Sequence, residues 1–60
     1  MWTTVLQFVN EGIEVNDKKY DILLDLQEGN LLYLNEQRYE VVNVIYFLDK
    51  LTKVVVVRIC

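Results

Sequence analysis

The sequence predicts an all-β fold, a small and strongly bent sheet or partly open barrel of five to six antiparallel strands. Three observations support this fold class. Valine, isoleucine and aromatic residues are concentrated in short runs, which favours strands. Polar residues rich in Asn, Asp, Glu and Gly separate these runs at short intervals. No segment has a convincing helical period, and the chain of 60 residues is long enough for one domain, residues 1–60.

The strongest strand signal lies near the end of the chain. Two runs, Tyr39–Leu48 and Lys53–Ile59, flank the polar turn 49–52 and predict a hairpin, here called the anchor hairpin. Its second strand is apolar on both faces, because Val54 and Val56 alternate with Val55, Val57 and Ile59. In a strand with one solvent-exposed face, apolar and polar residues should alternate. We therefore expect the anchor hairpin to be covered on both sides.

Four further segments have strand character. Tyr20–Leu26 has a predicted inner face that is formed by Tyr20, Ile22, Leu24 and Leu26. Glycine or asparagine lies in the predicted turns between these segments. At Gly29 and Asn30 a positive φ has a low energetic cost, which favours a turn there. In chain order the four segments are Trp2–Val9, Ile13–Val15, Tyr20–Leu26 and Leu31–Leu34.

Two parts of the chain repeat one pattern. Residues 13–23 and 32–42 both contain a short apolar run, an Asn that opens a polar turn, and a Tyr that re-enters the sheet. Asn tolerates the left-handed backbone conformation that tight hairpins demand. Either a duplication or the repeated use of one turn type explains the pattern, and in both cases Tyr20 and Tyr39 are predicted to be equivalent and structural.

The run from Glu28 to Val42 carries a family resemblance. An acid-Gly-Asn turn leads into a short apolar strand, a polar turn and a Tyr-Glu-Val strand, and this resembles the opening of many small SH3-like barrels. The resemblance implies an SH3-like barrel over residues 28–60. The aromatic groove signature of eukaryotic SH3 domains is absent, so binding of Pro-rich peptides is not implied. In size and acidity the chain is also similar to short phage-encoded β-proteins that bind and neutralise host factors.

The small size of the chain predicts self-association. A domain this short buries only about 60% of the surface of its unfolded chain and usually needs a disulfide, a metal or a partner subunit. Cys60 is the only cysteine and histidine is absent, so we expect neither an internal disulfide nor a metal site. We therefore expect a homodimer formed through the Lys53–Ile59 strand or through the two-sided face of the anchor hairpin.

The charge pattern argues against two classes of partner. The net charge is −3, and the six Lys and Arg residues are scattered, so no direct nucleic-acid binding is expected. No apolar run has membrane length and the first residues lack a signal-peptide pattern, so we expect no membrane contact and a cytoplasmic location, with Cys60 reduced.

The residue types used most in catalysis are missing. The chain has no His and no Ser, and Cys60 lies at the chain end without an imidazole to activate it. Asp21 and Asp25 are spaced as paired carboxylates, but a solvated polar face explains them as well. With only Gly12 and Gly29 there is no phosphate-binding loop. The prediction is a protein without enzymatic activity and without a cofactor.

Two binding functions remain. We favour an inhibitor or adaptor that binds a host protein as a homodimer, with acidic positions meeting a basic partner surface. The alternative is a small-molecule, nucleotide-type binding protein whose pocket lies between subunits and uses Arg58, Asn43 and aromatic faces. The acidic positions are Glu14, Asp17, Asp21, Asp25, Glu36 and Glu40. The candidate binding residues are Trp2, Tyr33, Asn43, Tyr46 and Arg58, of which Asn43 and Arg58 stand out as polar residues inside apolar strands.

Overall fold

A computed structural model describes residues 1–9 and 17–60 of the chain, and within them it confirms the all-β fold. Five strands are present there: β1 (Thr3–Val9), β2 (Lys18–Tyr20), β3 (Leu31–Leu34), β4 (Gln37–Phe47) and β5 (Thr52–Ile59). The predicted strand Ile13–Val15 and the turn residue Asn16 lie outside the described residues.

The strands form one sheet in the order β2-β1-β5-β4-β3, which curls into a half-barrel. β1 and β5 run parallel, and the other neighbours are antiparallel. The prediction of a wholly antiparallel sheet is therefore wrong. After β2 the chain passes to the opposite edge of the sheet, and the β3-β4-β5 meander then brings β5 back beside β1 in the same direction. The apolar character of both faces of β5 fits this central, parallel-paired position.

The core lies on the inner, concave face of the half-barrel. Leu6, Val41, Val55 and Val57 are buried there, and they come from the three central strands. Partly buried side chains complete the core: Phe8, Tyr20, Leu26, Leu32, Leu34, Tyr39 and Val44. Tyr20 and Tyr39, the equivalent residues of the repeat, both pack against this core, as their predicted structural role requires.

The predicted strand Tyr20–Leu26 is wrong, because β2 ends at Tyr20 and the following residues are irregular. The buried hydroxyl of Thr4 in β1 binds the backbone of this segment in place of the backbone hydrogen bonds of a neighbouring strand. It donates a hydrogen bond to the carbonyl of Ile22 (2.7 Å) and accepts one from the amide of Leu24 (2.9 Å). Leu24 and Leu26 turn partly inward as predicted, but Ile22 is exposed.

The turn between β3 and β4 offers a stability test. Its two central residues, Asn35 and Glu36, have φ values of 52° and 64°, the left-handed region that a two-residue I′ hairpin requires. Glycine is favoured at the second position, so Glu36→Gly should stabilise the chain by about 0.5–1 kcal/mol. Urea denaturation measures this free energy.

Gly29→Ala is the matched control, because Gly29 has a φ of 88° and space for a Cβ. This control should destabilise the chain by about 1 kcal/mol through backbone strain alone. A Glu36→Gly chain that loses as much stability as the control would contradict the assignment of the I′ turn.

Candidate interaction surface

The outer, convex face of the sheet has an apolar centre. Residues paired in a ladder project their side chains to the same face. The register places Val5, Val54 and Ile45 in one row across β1, β5 and β4, with Val56 and Phe47 beside them. We call these five residues the outer patch. Ile45 is 39% exposed and Phe47 41% exposed.

Polar side chains surround the outer patch. Gln7 and Asn43 flank Val56, and Thr3 and Thr52 lie in the row that ends at Phe47. An apolar centre with a polar rim is the usual anatomy of a protein–protein interface. The outer face of β5 thus differs from its inner face, where Val55 and Val57 are fully buried by the chain itself.

Both edges of β5 are paired within the chain, to β1 on one side and to β4 on the other. A dimer that uses the backbone of the Lys53–Ile59 strand is therefore closed off. Of the two predicted routes to a dimer, the two-sided face of the anchor hairpin remains a prediction.

Three of the five candidate binding residues fall on the outer side of the sheet. Arg58 bonds through Nε (3.1 Å) and Nη2 (2.9 Å) to Oε1 of Glu40, directly opposite it in the ladder. The Asn43 side chain accepts a hydrogen bond from the amide of Val44 (2.9 Å) at a β-bulge. The Arg58 guanidinium and the Asn43 side-chain oxygen thus both have partners within the chain. Tyr33, in β3, is 72% exposed.

The other two candidates, Trp2 and Tyr46, meet edge-on, with ring centroids 5.9 Å apart. The ammonium of Lys53 lies 5.5 Å from the centre of the Tyr46 ring, which is a cation–π geometry. Trp2 is half-buried, and Tyr46 is 48% exposed. The five candidates therefore form two separate groups rather than one site.

Sequence reasoning missed Lys53. This residue is only 1% exposed, and its ammonium donates a hydrogen bond to the carbonyl of Leu24 (2.8 Å). Within residues 1–9 and 17–60 no carboxylate lies within salt-bridge distance of it. The sequence shows that Lys53 shares a face with Val55 and Val57, but the opposite face with Val54 and Val56 is equally apolar, so alternation alone did not show which face is inward.

The outer edge of β4 is partly open. β3 pairs with residues Gln37–Glu40, and Val41 then exchanges backbone hydrogen bonds with Gly29 and Asn30. Beyond that point Val42–Phe47 pairs only with β5 as far as the described residues go. This six-residue edge carries no charged side chain and is rich in β-branched and aromatic residues.

Other kinds of site were sought in the same part of the chain. Residues 1–9 and 17–60 enclose no detectable cavity. Over those ranges, no group of three His, Cys, Asp or Glu side chains is placed to hold a metal ion. The described chain also contains no helix that is long and apolar enough to cross a membrane. Comparisons with protein-family models, with curated proteins and with solved structures gave no match to this chain.

Proposed function

We propose that this chain is a non-catalytic binding protein that works as a homodimer and contacts a partner protein through the outer patch. The observation that carries the proposal is the row formed by Val5, Val54 and Ile45, an apolar centre inside a polar rim. Ile45 and Phe47 expose apolar surface there and Val5, Val54 and Val56 are half-buried, and an exposed apolar patch with a polar rim is a feature of interaction surfaces.

The charge distribution supports a basic partner. Asp17, Asp21 and Asp25 are exposed in and near the irregular segment after β2, and Glu36 is exposed in the β3–β4 turn. Together with a net charge of −3, these carboxylates attract a positive surface and speed its association. This charge, together with the similarity in size and acidity to short phage-encoded proteins, supports the proposed role as an inhibitor or adaptor that binds a basic host protein.

The nucleotide-type alternative has less support. It relies on Arg58 and Asn43 as ligand-binding groups, and both are engaged by neighbours in the same chain, Glu40 and Val44. A ligand would have to break these contacts before it gained its own, which lowers its affinity.

Val54→Lys tests the proposed surface. It places a charge at the centre of the outer patch, where a bound partner would have to desolvate it, so partner binding should weaken at least about tenfold. Immobilised protein is exposed to a bacterial lysate at low and high salt, and each captured protein is then titrated against the purified chain. Binding of the wild-type chain should weaken as salt increases.

Leu23→Lys is the matched control, because it makes the same kind of change at an exposed position outside the outer patch. Circular dichroism establishes that both variants are folded. Equal affinity of the Val54→Lys and Leu23→Lys chains for every captured protein would contradict the proposal, as would failure to capture any partner in either salt regime.

A further inference from the structure

Residues Val42–Phe47 of β4 are the longest uncharged stretch in the described sheet that is paired on one side only. We propose that a second copy of this chain pairs antiparallel with it along Val42–Phe47, so that the two half-barrels share one continuous sheet. The inference rests on the self-association in the proposed function and specifies where the two copies meet.

The direction of the backbone groups along β4 supports the pairing. The amide of Val41 donates to the carbonyl of Asn30 and its carbonyl accepts from the amide of Gly29, both at 2.9 Å. These bonds show that the backbone polar groups of Val41 point away from β5, and its side chain is buried on the inner face. Along a strand, the direction of the side chain and the direction of the backbone N–H and C=O groups alternate together. Val44 and Tyr46 also have inward side chains, so their backbone groups point to the same edge as those of Val41.

The Val44 amide confirms this direction within the chain. It is bonded to the side-chain oxygen of Asn43 instead of to a strand (2.9 Å). In the single chain, the side-chain oxygen of Asn43 therefore accepts the hydrogen bond of one backbone N–H at the open edge, that of Val44. In the proposed dimer this amide exchanges the Asn43 side chain for a backbone carbonyl of the other copy.

The sequence of the edge favours a second copy as the occupant. An antiparallel pairing that is centred on Ile45 places Val44 of one copy opposite Tyr46 of the other, and such a pair exchanges two backbone hydrogen bonds. The paired stretch Val42–Phe47 is uncharged in both copies, so this register brings no like charges together. Ile45, a member of the outer patch, then meets its own counterpart on the outer face.

Val44→Pro is the direct test of this edge. Proline removes the amide that points to the second copy, and edge positions with an outward amide tolerate proline. The dimer dissociation constant, measured by sedimentation equilibrium, should rise at least about tenfold because the symmetric contact loses the bond twice. Val44→Ala is the matched control, since it shortens the same side chain but keeps the amide, and it should change the dissociation constant by less than about threefold.

Ile45→Lys decides the question if the proline variant does not fold. It brings two ammonium groups together at the centre of the proposed contact, and Ile45 is exposed enough in the single chain to accept lysine. This variant should also raise the dissociation constant at least about tenfold. A wild-type dimer that both variants preserve would overturn the β4 edge and leave the self-association standing. A wild-type chain that stays monomeric would overturn both.

Discussion

Replacement of Thr4 by valine is expected to lower the free energy of unfolding by about 2–4 kcal/mol, although the two side chains have nearly the same shape. The Thr4 hydroxyl is buried and serves two backbone groups at once, the carbonyl of Ile22 and the amide of Leu24. Valine satisfies neither group, and each unpaired buried polar group costs about 1–3 kcal/mol. The loss is large beside a total of about 3–9 kcal/mol for a domain of this length.

Thr4→Ser separates the hydroxyl from the methyl group. Serine keeps the oxygen that both hydrogen bonds need and should lose only about 1 kcal/mol, from the buried methyl group. Urea denaturation at one fixed protein concentration measures both variants, because the proposed self-association would make stability depend on concentration. A Thr4→Val chain that is as stable as the Thr4→Ser chain would show that the hydroxyl does not hold the segment after β2.

Lys53→Ala is expected to cost about 2–4 kcal/mol, the second large effect. The Lys53 side chain is buried on the inner face, where its ammonium bonds the carbonyl of Leu24 and lies over the ring of Tyr46. Alanine removes the stem, the hydrogen bond and the cation–π contact together.

Two further variants isolate the causes. Lys53→Met keeps most of the stem and should recover part of the loss, because only the polar contacts are missing. Lys50→Ala removes an exposed lysine of the β4–β5 turn whose ammonium lies over the ring of Phe47. It should change the free energy of unfolding by less than about 0.5 kcal/mol. Equal stabilities of the Lys53→Ala and Lys50→Ala chains would contradict the structural role of Lys53.

The sequence predicted the anchor hairpin well because two local signals agree there. Propensity and apolar pattern both favour strands over Tyr39–Leu48 and Lys53–Ile59, and β4 and β5 cover nearly the same residues. The segment Tyr20–Leu26 also alternates, yet it is irregular. Thr4 and Lys53 bond its backbone from distant parts of the chain, and no local pattern encodes such contacts.

The choice of strand partners was equally beyond local reasoning. Alternation along a strand shows which side chains share a face but not which strand lies alongside, so the parallel pairing of β1 and β5 could not be predicted. The turn residues were more informative. Gly29 has the positive φ that was predicted, and Asn35 opens the tight turn in the left-handed conformation that was expected of it.

For the candidate site, the sequence identified the polar residues that needed explanation but not what satisfies them. Arg58 pairs with Glu40 across the strands, and Asn43 bonds the next amide at a bulge. The Arg58–Glu40 pair depends on the register of β4 against β5, and the Asn43 contact lies at the bulge that shifts this register. The contact between Trp2 and Tyr46 joins the residue before β1 to β4, two parts of the chain that are far apart in sequence. It therefore could not be predicted without the fold.

The molar mass of the wild-type chain in solution tests the central claim most directly. Light scattering across the micromolar range should show a species of twice the 7.2 kDa chain mass, in equilibrium with the single chain on dilution. A single chain of 7.2 kDa that persists at high micromolar concentration would contradict the proposal that this protein works as a homodimer.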